Sequence, residues 1–194
     1  MKFHRLFLSD NYKGEKEYLV TQRKYEIGRT VLYFTISISL FLAGYITTKE
    51  RLNLLSVVAA LGCLPACKSL IDVIMFCKFK GCSNKASIEI ESHSDTLHCL
   101  YDMVFTSYKL NFNIAHMVVC GNTVCGYSES VEFAENEFYK HIGDILKLDG
   151  HKNVTVKIFT DLNKYTNRLD NIKELECDEQ LTNSILNTLK SVAL

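Results

Sequence analysis

Cysteine and histidine are the first residues in this chain that could do chemistry, because both can bind a transition metal. The groups with short spacings are Cys77-x4-Cys82, His93-x4-His98-Cys99 and His116-x3-Cys120-x4-Cys125. Structural zinc sites commonly use a C-x2-C pair, and none of these groups has that spacing. Cys120 and Cys125 also lie among valines, where cysteine behaves as a small apolar residue. We therefore expect no metal site and no cofactor.

Patterns that would support hydrolysis or nucleotide binding are also incomplete. The chain has no Gly-x-Ser-x-Gly motif and no glycine-rich phosphate-binding loop. A metal-dependent nuclease needs a carboxylate and a D/E-x-K motif on adjacent strands. Glu89 and Glu91 are not followed by lysine two positions later, and Glu129 has Val131 at that position. The sequence predicts no catalytic residues and favours a protein that is not an enzyme.

The element around which the chain is organised is an apolar stretch from Thr30 to Cys77, interrupted by Lys49-Glu50-Arg51. Its first part, Thr30–Thr48, has nineteen residues without a charge, and its second part, Leu52–Cys67, has sixteen. About twenty apolar residues span the hydrocarbon core of a bilayer. The length of the stretch therefore predicts a two-helix transmembrane hairpin.

Charge predicts the orientation of this hairpin. Seven Lys/Arg precede the first span and four lysines follow the second, whereas the turn has only Lys49 and Arg51. Positively charged flanks stay in the cytoplasm. We therefore predict a two-pass protein of the cell membrane with both termini cytoplasmic. Cysteines of a cytosolic domain stay reduced, so we expect no structural disulfide among the eight.

The sequence predicts that the chain has three parts. They are a basic cytosolic tail (1–29), a transmembrane hairpin with a cytosolic stalk (30–80) and a cytosolic α+β domain (81–194). Residues 81–194 have ten basic and sixteen acidic side chains. Phosphate binding needs a basic surface, so no nucleic acid is expected as a partner. The expected partners are the lipid bilayer and either a second copy of the chain or another membrane protein.

Lys68 and Asp72 lie four positions apart in the second predicted helix, so they can pair on one face. The pair could lie at the membrane interface, form a functional ion pair inside the membrane, or contact another copy of the helix. The sixteen uncharged residues before Lys68 nearly span the hydrocarbon core, which favours the interface. Pro65 is expected to kink the helix just before this point.

Residues after Gly81 predict short strands and amphipathic helices. Apolar and polar residues alternate over Ala86–Ile90, which predicts a strand. The apolar residues between Leu97 and Tyr108 follow helical spacing, and Ser94 is placed to cap that helix.

Next, Asn113–Cys120 and Thr123–Tyr127 are predicted to form a hairpin that turns at Gly121-Asn122. A helix capped by Ser130 and closed by Gly150 follows, and then a strand over Val154–Ile158. The last two elements are a helix capped by Asp161 and a helix through Leu181, Ile185, Leu189 and Val192. The order β-α-β-β-α-β with two trailing helices predicts an α+β, ferredoxin-like domain. The alternative is a restriction-endonuclease-like fold without catalytic residues, whose core has the order α-β-β-β-α-β. The sequence would match this core if the first predicted strand were left out and the hairpin region contained a third strand.

The opening residues, Met-Lys-Phe-His-Arg-Leu-Phe-Leu-Ser, resemble the starts of small uncharacterised membrane proteins of clostridial Gram-positive bacteria. The resemblance covers these nine residues and includes no catalytic motif. It implies a bacterial source and no activity.

Three functions are compatible with these patterns. The favoured one is a membrane-anchored, non-enzymatic protein whose α+β domain binds a partner or small ligand. The second is an oligomeric membrane component, either a pore or a transporter accessory, built on the second predicted helix. Small residues of that helix, such as Ala59, Gly62 and Ala66, would let helices pack closely. The third is a membrane-bound nuclease-like protein.

Overall fold

A computed structural model of the chain describes residues 12–50, 53–130 and 132–194. These residues form two compact units. The first unit comprises residues 19–79, and the second comprises residues 12–18 together with 80–194. The nine opening residues that carry the bacterial resemblance lie outside the described residues.

Two long helices, α1 (Tyr18–Thr48) and α2 (Leu54–Lys78), form the first unit. Asn53 begins α2, because its side-chain oxygen accepts the backbone N–H of Ser56 at 2.8 Å. The Asn53 amide also donates to the Thr48 hydroxyl at 2.9 Å. One side chain therefore ties the end of α1 to the start of α2.

Both helices are long and apolar enough to span a membrane. Only 17% of the most apolar window of each helix is buried, whereas a core helix of a soluble protein is mostly buried. Their outer surfaces carry many exposed large hydrophobic side chains, among them Leu32, Ile36, Phe41, Ile46, Leu54, Val57, Leu61, Leu64, Ile71 and Ile74. By length and composition, both helices are therefore candidates for membrane spans.

The second unit is built on a four-stranded mixed sheet in the order β1-β2-β3-β4. The strands are β1 (His98–Thr106), β2 (Asn111–Cys120), β3 (Thr123–Tyr127) and β4 (Thr155–Phe159). β1, β2 and β3 pair antiparallel, and β4 pairs parallel to β3. A parallel pair needs a crossover, which is supplied here by the helix α4 (Glu135–Leu148).

Helices cover both faces of this sheet. On one face α4 and α6 (Glu179–Val192) pack through Phe138, Ile142 and Leu189. On the other face α3 (Asn84–Ser92) and α5 (Leu162–Lys173) pack through Ile90, Tyr165 and Leu169. The unit is therefore a three-layer α/β/α arrangement with a core on each side of the sheet.

The predicted strand over Ala86–Ile90 is wrong, because these residues lie in α3. The Ser83 hydroxyl caps this helix by accepting the N–H of Ala86. Ala86 and Ile90, four residues apart, are buried, whereas Ile88 is 68% exposed. Ala86 and Ile90 fit both the period of two of a strand and the i, i+4 spacing of a helix. The packing of the domain decides in favour of the helix.

The predicted helix over residues 97–108 is also wrong, because β1 occupies most of it. Since the sheet is covered on both faces, β1 buries Met103, Val104 and Phe105 in succession. A strand buried on both faces reads as a continuous apolar run and has no period of two. The observed order α-β-β-β-α-β-α-α does not confirm the ferredoxin-like order.

Most later elements are confirmed. β2 and β3 form the predicted hairpin, with Gly121 in the left-handed region at φ +53°. Asp161 caps α5, and Gly150, at φ +87°, follows the end of α4. The predicted Ser130 cap is wrong: α4 begins after Ala134, and the Ser130 N–H donates to the Ser128 hydroxyl.

Both ends of the described chain close the outer edge of β1. The Gly14 carbonyl accepts the N–H of Tyr101 at 2.9 Å, and the N–H of Leu194 donates to the Val104 carbonyl at 2.9 Å. The Lys13 ammonium donates to the Ala193 carbonyl at 2.8 Å. β1 is an edge strand, and these contacts pair some of the backbone N–H and C=O groups that its outer edge would otherwise leave unpaired.

Candidate functional site

In the hairpin, Asp72 pairs with Arg29 of α1 and not with Lys68. The Arg29 guanidinium lies 3.0 Å from the Asp72 carboxylate. Lys68 is exposed, and no carboxylate among the described residues forms an ion pair with it. Asp72 is thus engaged by Arg29 in this structure, and a Lys68–Asp72 ion pair at or in the membrane stays a prediction. Pro65 lies inside α2, which continues to Lys78; the kink also stays a prediction.

Arg29 is the centre of a polar cluster between the two helices. It pairs with Glu26 one turn earlier and donates to the Ser69 hydroxyl at 3.3 Å. The Thr30 and Ser69 hydroxyls are 2.8 Å apart, and Gln22 donates to Glu26 at 3.0 Å. This Arg29 cluster fixes which turns of α1 and α2 face each other. No signal in either helix alone indicates Arg29 as the partner of Asp72.

The small residues of α2 face α1 of the same chain. Ala59 and Ala66 are buried, and a Cβ added to Gly62 would lie 2.9 Å from the Ser37 hydroxyl oxygen. These residues let the two helices approach closely, as small residues do between membrane helices. The stripe is therefore occupied by a contact within the chain and is not free for a second copy.

The adjacent strands β2 and β3 lack the carboxylates that nuclease chemistry needs. Neither strand contains an acidic residue. Near their ends, Asn113 accepts a hydrogen bond from the Ser128 hydroxyl at 2.8 Å through its carbonyl. Glu129, which follows β3, accepts the Ser83 N–H at 3.0 Å. Glu129 therefore holds the start of α3, and Val131 lies outside the described residues.

A second carboxylate, that of Asp102, also anchors the backbone before α3. Asp102 is buried in β1 at φ +53°, and it accepts the Cys82 N–H at 2.8 Å. A Cβ on Gly81 would lie 3.0 Å from the same carboxylate. Non-glycine residues at positive φ are uncommon and need support from their surroundings. Here the support is the anchoring of residues 81–82 to the sheet.

His116 is a buried titratable group at the centre of the domain. It is fully buried in β2, and its Nδ1 is hydrogen-bonded to the Tyr165 hydroxyl at 2.7 Å. The Tyr101 ring lies edge-on at 4.5 Å between ring centroids. Burial lowers the pKa of His116 to about 3, so its imidazole is neutral at physiological pH. A neutral, buried imidazole cannot act as a solvent-exposed base.

The free thiols of the domain are poor nucleophiles. Burial, reinforced by the charges of Glu129 and Asp102, raises the pKa of the Cys82 thiol to about 12. Burial raises the pKa of the Cys99 thiol to about 11. The thiolate is the reactive form of cysteine, so neither residue is equipped for nucleophilic catalysis near neutral pH.

The candidate metal ligands do not converge. His93 pairs with Asp170 at 2.8 Å, Glu91 pairs with Lys16 at 2.7 Å, and His98 lies exposed at the start of β1. In the ranges that the structure describes, no group of three or more His, Cys, Asp or Glu side chains could hold a metal ion.

One Ser-His-Asp grouping occurs beside the end of α4, but its geometry is not that of a hydrolase. The Ser184 hydroxyl and the Asp149 carboxylate lie 3.5 Å and 4.0 Å from the same nitrogen, Nε2 of His151. In a catalytic triad the carboxylate binds the other ring nitrogen, which orients the imidazole. The grouping instead joins α4 to α6, since Thr188 donates to Asp149.

A disulfide joins Cys120 at the end of β2 to Cys177 in the α5–α6 connection, with their Cα atoms 5.0 Å apart. The expectation of free thiols is therefore wrong at these two positions. Cys177 is half-buried and lines a cavity of about 250 Å³, whereas Cys120 is buried. The two residues are 57 positions apart, and no local pattern could have paired them.

A larger groove of about 520 Å³ lies between the β1–β2 turn and α4. We call it the turn–α4 groove; its lining includes Tyr108, Lys109, Leu110, Phe112, Glu137, Lys140, His141 and Asp144. Phe112 stacks on His141 at 6.3 Å between ring centroids, and Tyr108 is fully exposed. No motif in the sequence indicated this groove, because its walls come from separate elements.

Comparisons of the chain with protein-family models, with characterised proteins and with solved structures find no significant match.

Proposed function

We propose that this chain is a two-pass protein of the cell membrane with both termini cytoplasmic, and that its α+β domain binds a partner or small ligand without catalysing a reaction. The observation that carries the binding role is the turn–α4 groove beside Tyr108. Its volume of about 520 Å³ falls in the range of ligand sites, roughly 300–1,000 Å³. Exposed tyrosines are enriched among residues that contribute most to protein interfaces.

Membrane insertion is supported by the outer surface of α1 and α2. Large hydrophobic side chains such as Ile46, Leu54 and Leu64 are more than half exposed. In a bilayer these side chains contact lipid, while backbone hydrogen bonds stay inside each helix. Several polar side chains of the pair gather in the Arg29 cluster between the helices, among them Glu26, Thr30, Ser69 and Asp72.

A same-side topology is supported by the packing of the domain. Residues 12–18 precede α1, and residues 80–194 follow α2, yet they form one compact unit. A chain that packs these segments together must enter and leave the membrane on one side. The excess of basic residues on the flanks favours the cytoplasmic side.

The fold we propose for the domain is the restriction-endonuclease-like alternative, without catalytic residues. The order α-β-β-β-α-β from α3 to β4 supports it. The same order is what favours the alternative of a membrane-bound nuclease-like protein. β2 and β3, however, contain no acidic residue, and Glu129, which follows β3, accepts the Ser83 N–H. We therefore prefer binding to cleavage.

The test is photo-crosslinking in native membranes. Tyr108 is replaced by benzoyl-phenylalanine, and the same substitution at Leu148, exposed at the far end of α4, is the matched control. We expect a specific adduct at position 108 and none at position 148. Equal labelling of both positions, or adducts at neither, would count against a binding role for the groove.

An oligomeric membrane component is the second candidate, and the exposed Lys68 on an otherwise apolar helix favours it. A lysine that contacts another copy should be needed for assembly, whereas one that extends to the headgroups should not. The discriminating variant is Lys68→Leu, compared with Lys78→Leu at the end of α2. Loss of crosslinked oligomers in the Lys68 variant alone would favour this candidate.

A further inference from the structure

The disulfide between Cys120 and Cys177 presents its two sulfur atoms to different surroundings. Cys120 is 5% exposed and packs in the core between the sheet and α5, whereas Cys177 is half-buried and lines the 250 Å³ cavity. Thiol–disulfide exchange requires a thiolate to reach one sulfur of the bond. A thiol arriving from solvent therefore meets Cys177 and not Cys120.

The cavity also offers one charge of each sign. Lys173 from the last turn of α5 and Glu179 from the first turn of α6 both line it. Neither forms an ion pair with any other described residue. Leu97 and Ile172 add an apolar wall. A small molecule with an ammonium and a carboxylate group could place them against Glu179 and Lys173.

We propose that this cavity is a site of thiol exchange for a small amino-acid thiol, which binds between Lys173 and Glu179 and attacks the Cys177 sulfur. The S–S bond to Cys120 breaks as the new S–S bond to the incoming thiol forms. The proton lost by the incoming thiol ends on the Cys120 sulfur, so the products are a mixed disulfide at Cys177 and a free thiol at Cys120. No other oxidant or reductant is needed.

The structural effect of the exchange is confined to the α5–α6 connection. The Gly121 N–H donates to the Thr182 hydroxyl at 2.9 Å, and this bond holds α6 to the β2–β3 turn independently of the disulfide. Asp178 still caps α6 through its side chain. Exchange therefore releases the cavity wall at residues 174–177 and leaves the helix in place.

This proposal depends on the proposed cytosolic location of the domain in one respect: the cytosol would supply the small thiols. Its test uses the oxidised full-length protein in detergent, with L-cysteine as the probe and 2-mercaptoethanol as the uncharged comparison. Exchange is stopped with acid, and mass spectrometry of the digested protein locates the adduct. For each thiol, the exchange rate of the wild type is divided by that of the variant, and the two ratios are compared. The intrinsic reactivity of the thiol cancels in each ratio.

We expect the L-cysteine adduct on Cys177. The variant Lys173→Gln/Glu179→Gln should react about five-fold more slowly with L-cysteine, since two exposed charge contacts are lost, and equally fast with 2-mercaptoethanol. The control Lys147→Gln/Glu132→Gln makes the same charge changes at exposed positions outside both cavities and should alter neither rate. Adducts on Cys120, no adduct at all, or equal slowing with both thiols would overturn the proposal. Because detergent removes the question of membrane side, these failures would not bear on the proposed topology.

Discussion

His116 shows how burial decides the protonation state of a side chain that the sequence offers as a metal ligand. Its Nδ1 is engaged by Tyr165, and its Nε2 is buried without a hydrogen-bond partner among the described residues. The folded state therefore holds a neutral imidazole with a pKa near 3, against an ordinary value of 6.5. In the unfolded chain this histidine takes up a proton as the pH falls below about 6.5.

The domain should accordingly lose stability on mild acidification. The folded pKa is the lower one, so this contribution is complete above pH 6.5 and falls as the pH drops towards 3. Between pH 7 and pH 5 we expect His116 to cost about 2 kcal/mol of unfolding free energy. The comparison is with His116→Phe/Tyr165→Phe, which removes both hydrogen-bonding partners. Urea titrations of the full-length protein in detergent, followed by tyrosine fluorescence, measure the difference.

Other titrating groups are common to both proteins and cancel in this comparison. His98→Gln, at an exposed histidine of β1, controls for the loss of one histidine. If the wild type and the double variant lose the same free energy between pH 7 and pH 5, the imidazole is not buried in its neutral form.

Single cysteines were predictable where their neighbours define the environment. The valines around Cys125 indicated a small apolar core residue, and the residue is buried with a free thiol. Cys120 has the same kind of neighbours, but its bond to Cys177 depends on how β2 meets the α5–α6 connection. Such a contact is set by the tertiary fold, which local composition does not encode.

At the scale of elements, helices and strands were predictable where one face is buried and a turn or cap is explicit. The α5 stripe of Tyr165, Leu169 and Ile172 follows an Asp161 cap, and all three side chains are buried. α3 and β1 exchanged their predicted identities because α3 is only nine residues long and β1 is covered on both faces. Periodicity cannot separate helix from strand in such short or uniformly apolar segments.

We predict that the Arg29 cluster stabilises the pairing of α1 with α2. Asp72→Ala removes the partner of Arg29 across the interface. The two side chains are 20% and 33% exposed, so we expect a loss of about 1–2 kcal/mol, less than for a fully buried pair. Hydrogen exchange of α2 amides near Asp72, in detergent, should become roughly 5–30 times faster.

Lys68→Met is the matched control on the same helix, because Lys68 is exposed on the outer surface. It should leave the exchange rates of α2 unchanged. Equally faster exchange in the Lys68 and Asp72 variants would instead favour the Lys68–Asp72 pairing first expected from the i, i+4 spacing.

For the whole molecule, length and charge were enough to indicate two apolar helices and an α+β domain. These properties depend on composition over many residues and need no long-range contact. The candidate sites were not predictable in the same way. Tyr108 and His141 line the turn–α4 groove, and His98 and Cys177 line the 250 Å³ cavity. Each site therefore exists only once elements distant in sequence have packed together.

The proposed topology predicts which residues an impermeant reagent reaches. In intact cells, a membrane-impermeant maleimide should label Glu50→Cys in the α1–α2 turn. It should label Leu148→Cys, on the exposed end of α4, only after permeabilisation. Wild-type labelling, which reports the native cysteines, is subtracted in both cases. Labelling of position 148 in intact cells would place the domain outside and contradict the topology.

The closure of the β1 edge by both chain ends has a consequence for biosynthesis. Gly14 precedes both long helices and Leu194 follows α6, yet both bond to β1. The edge of the sheet therefore stays unfinished until the ribosome has synthesised and released the chain as far as Leu194. A fusion partner attached directly to Leu194 would crowd this edge, so a reporter at that end needs a flexible linker.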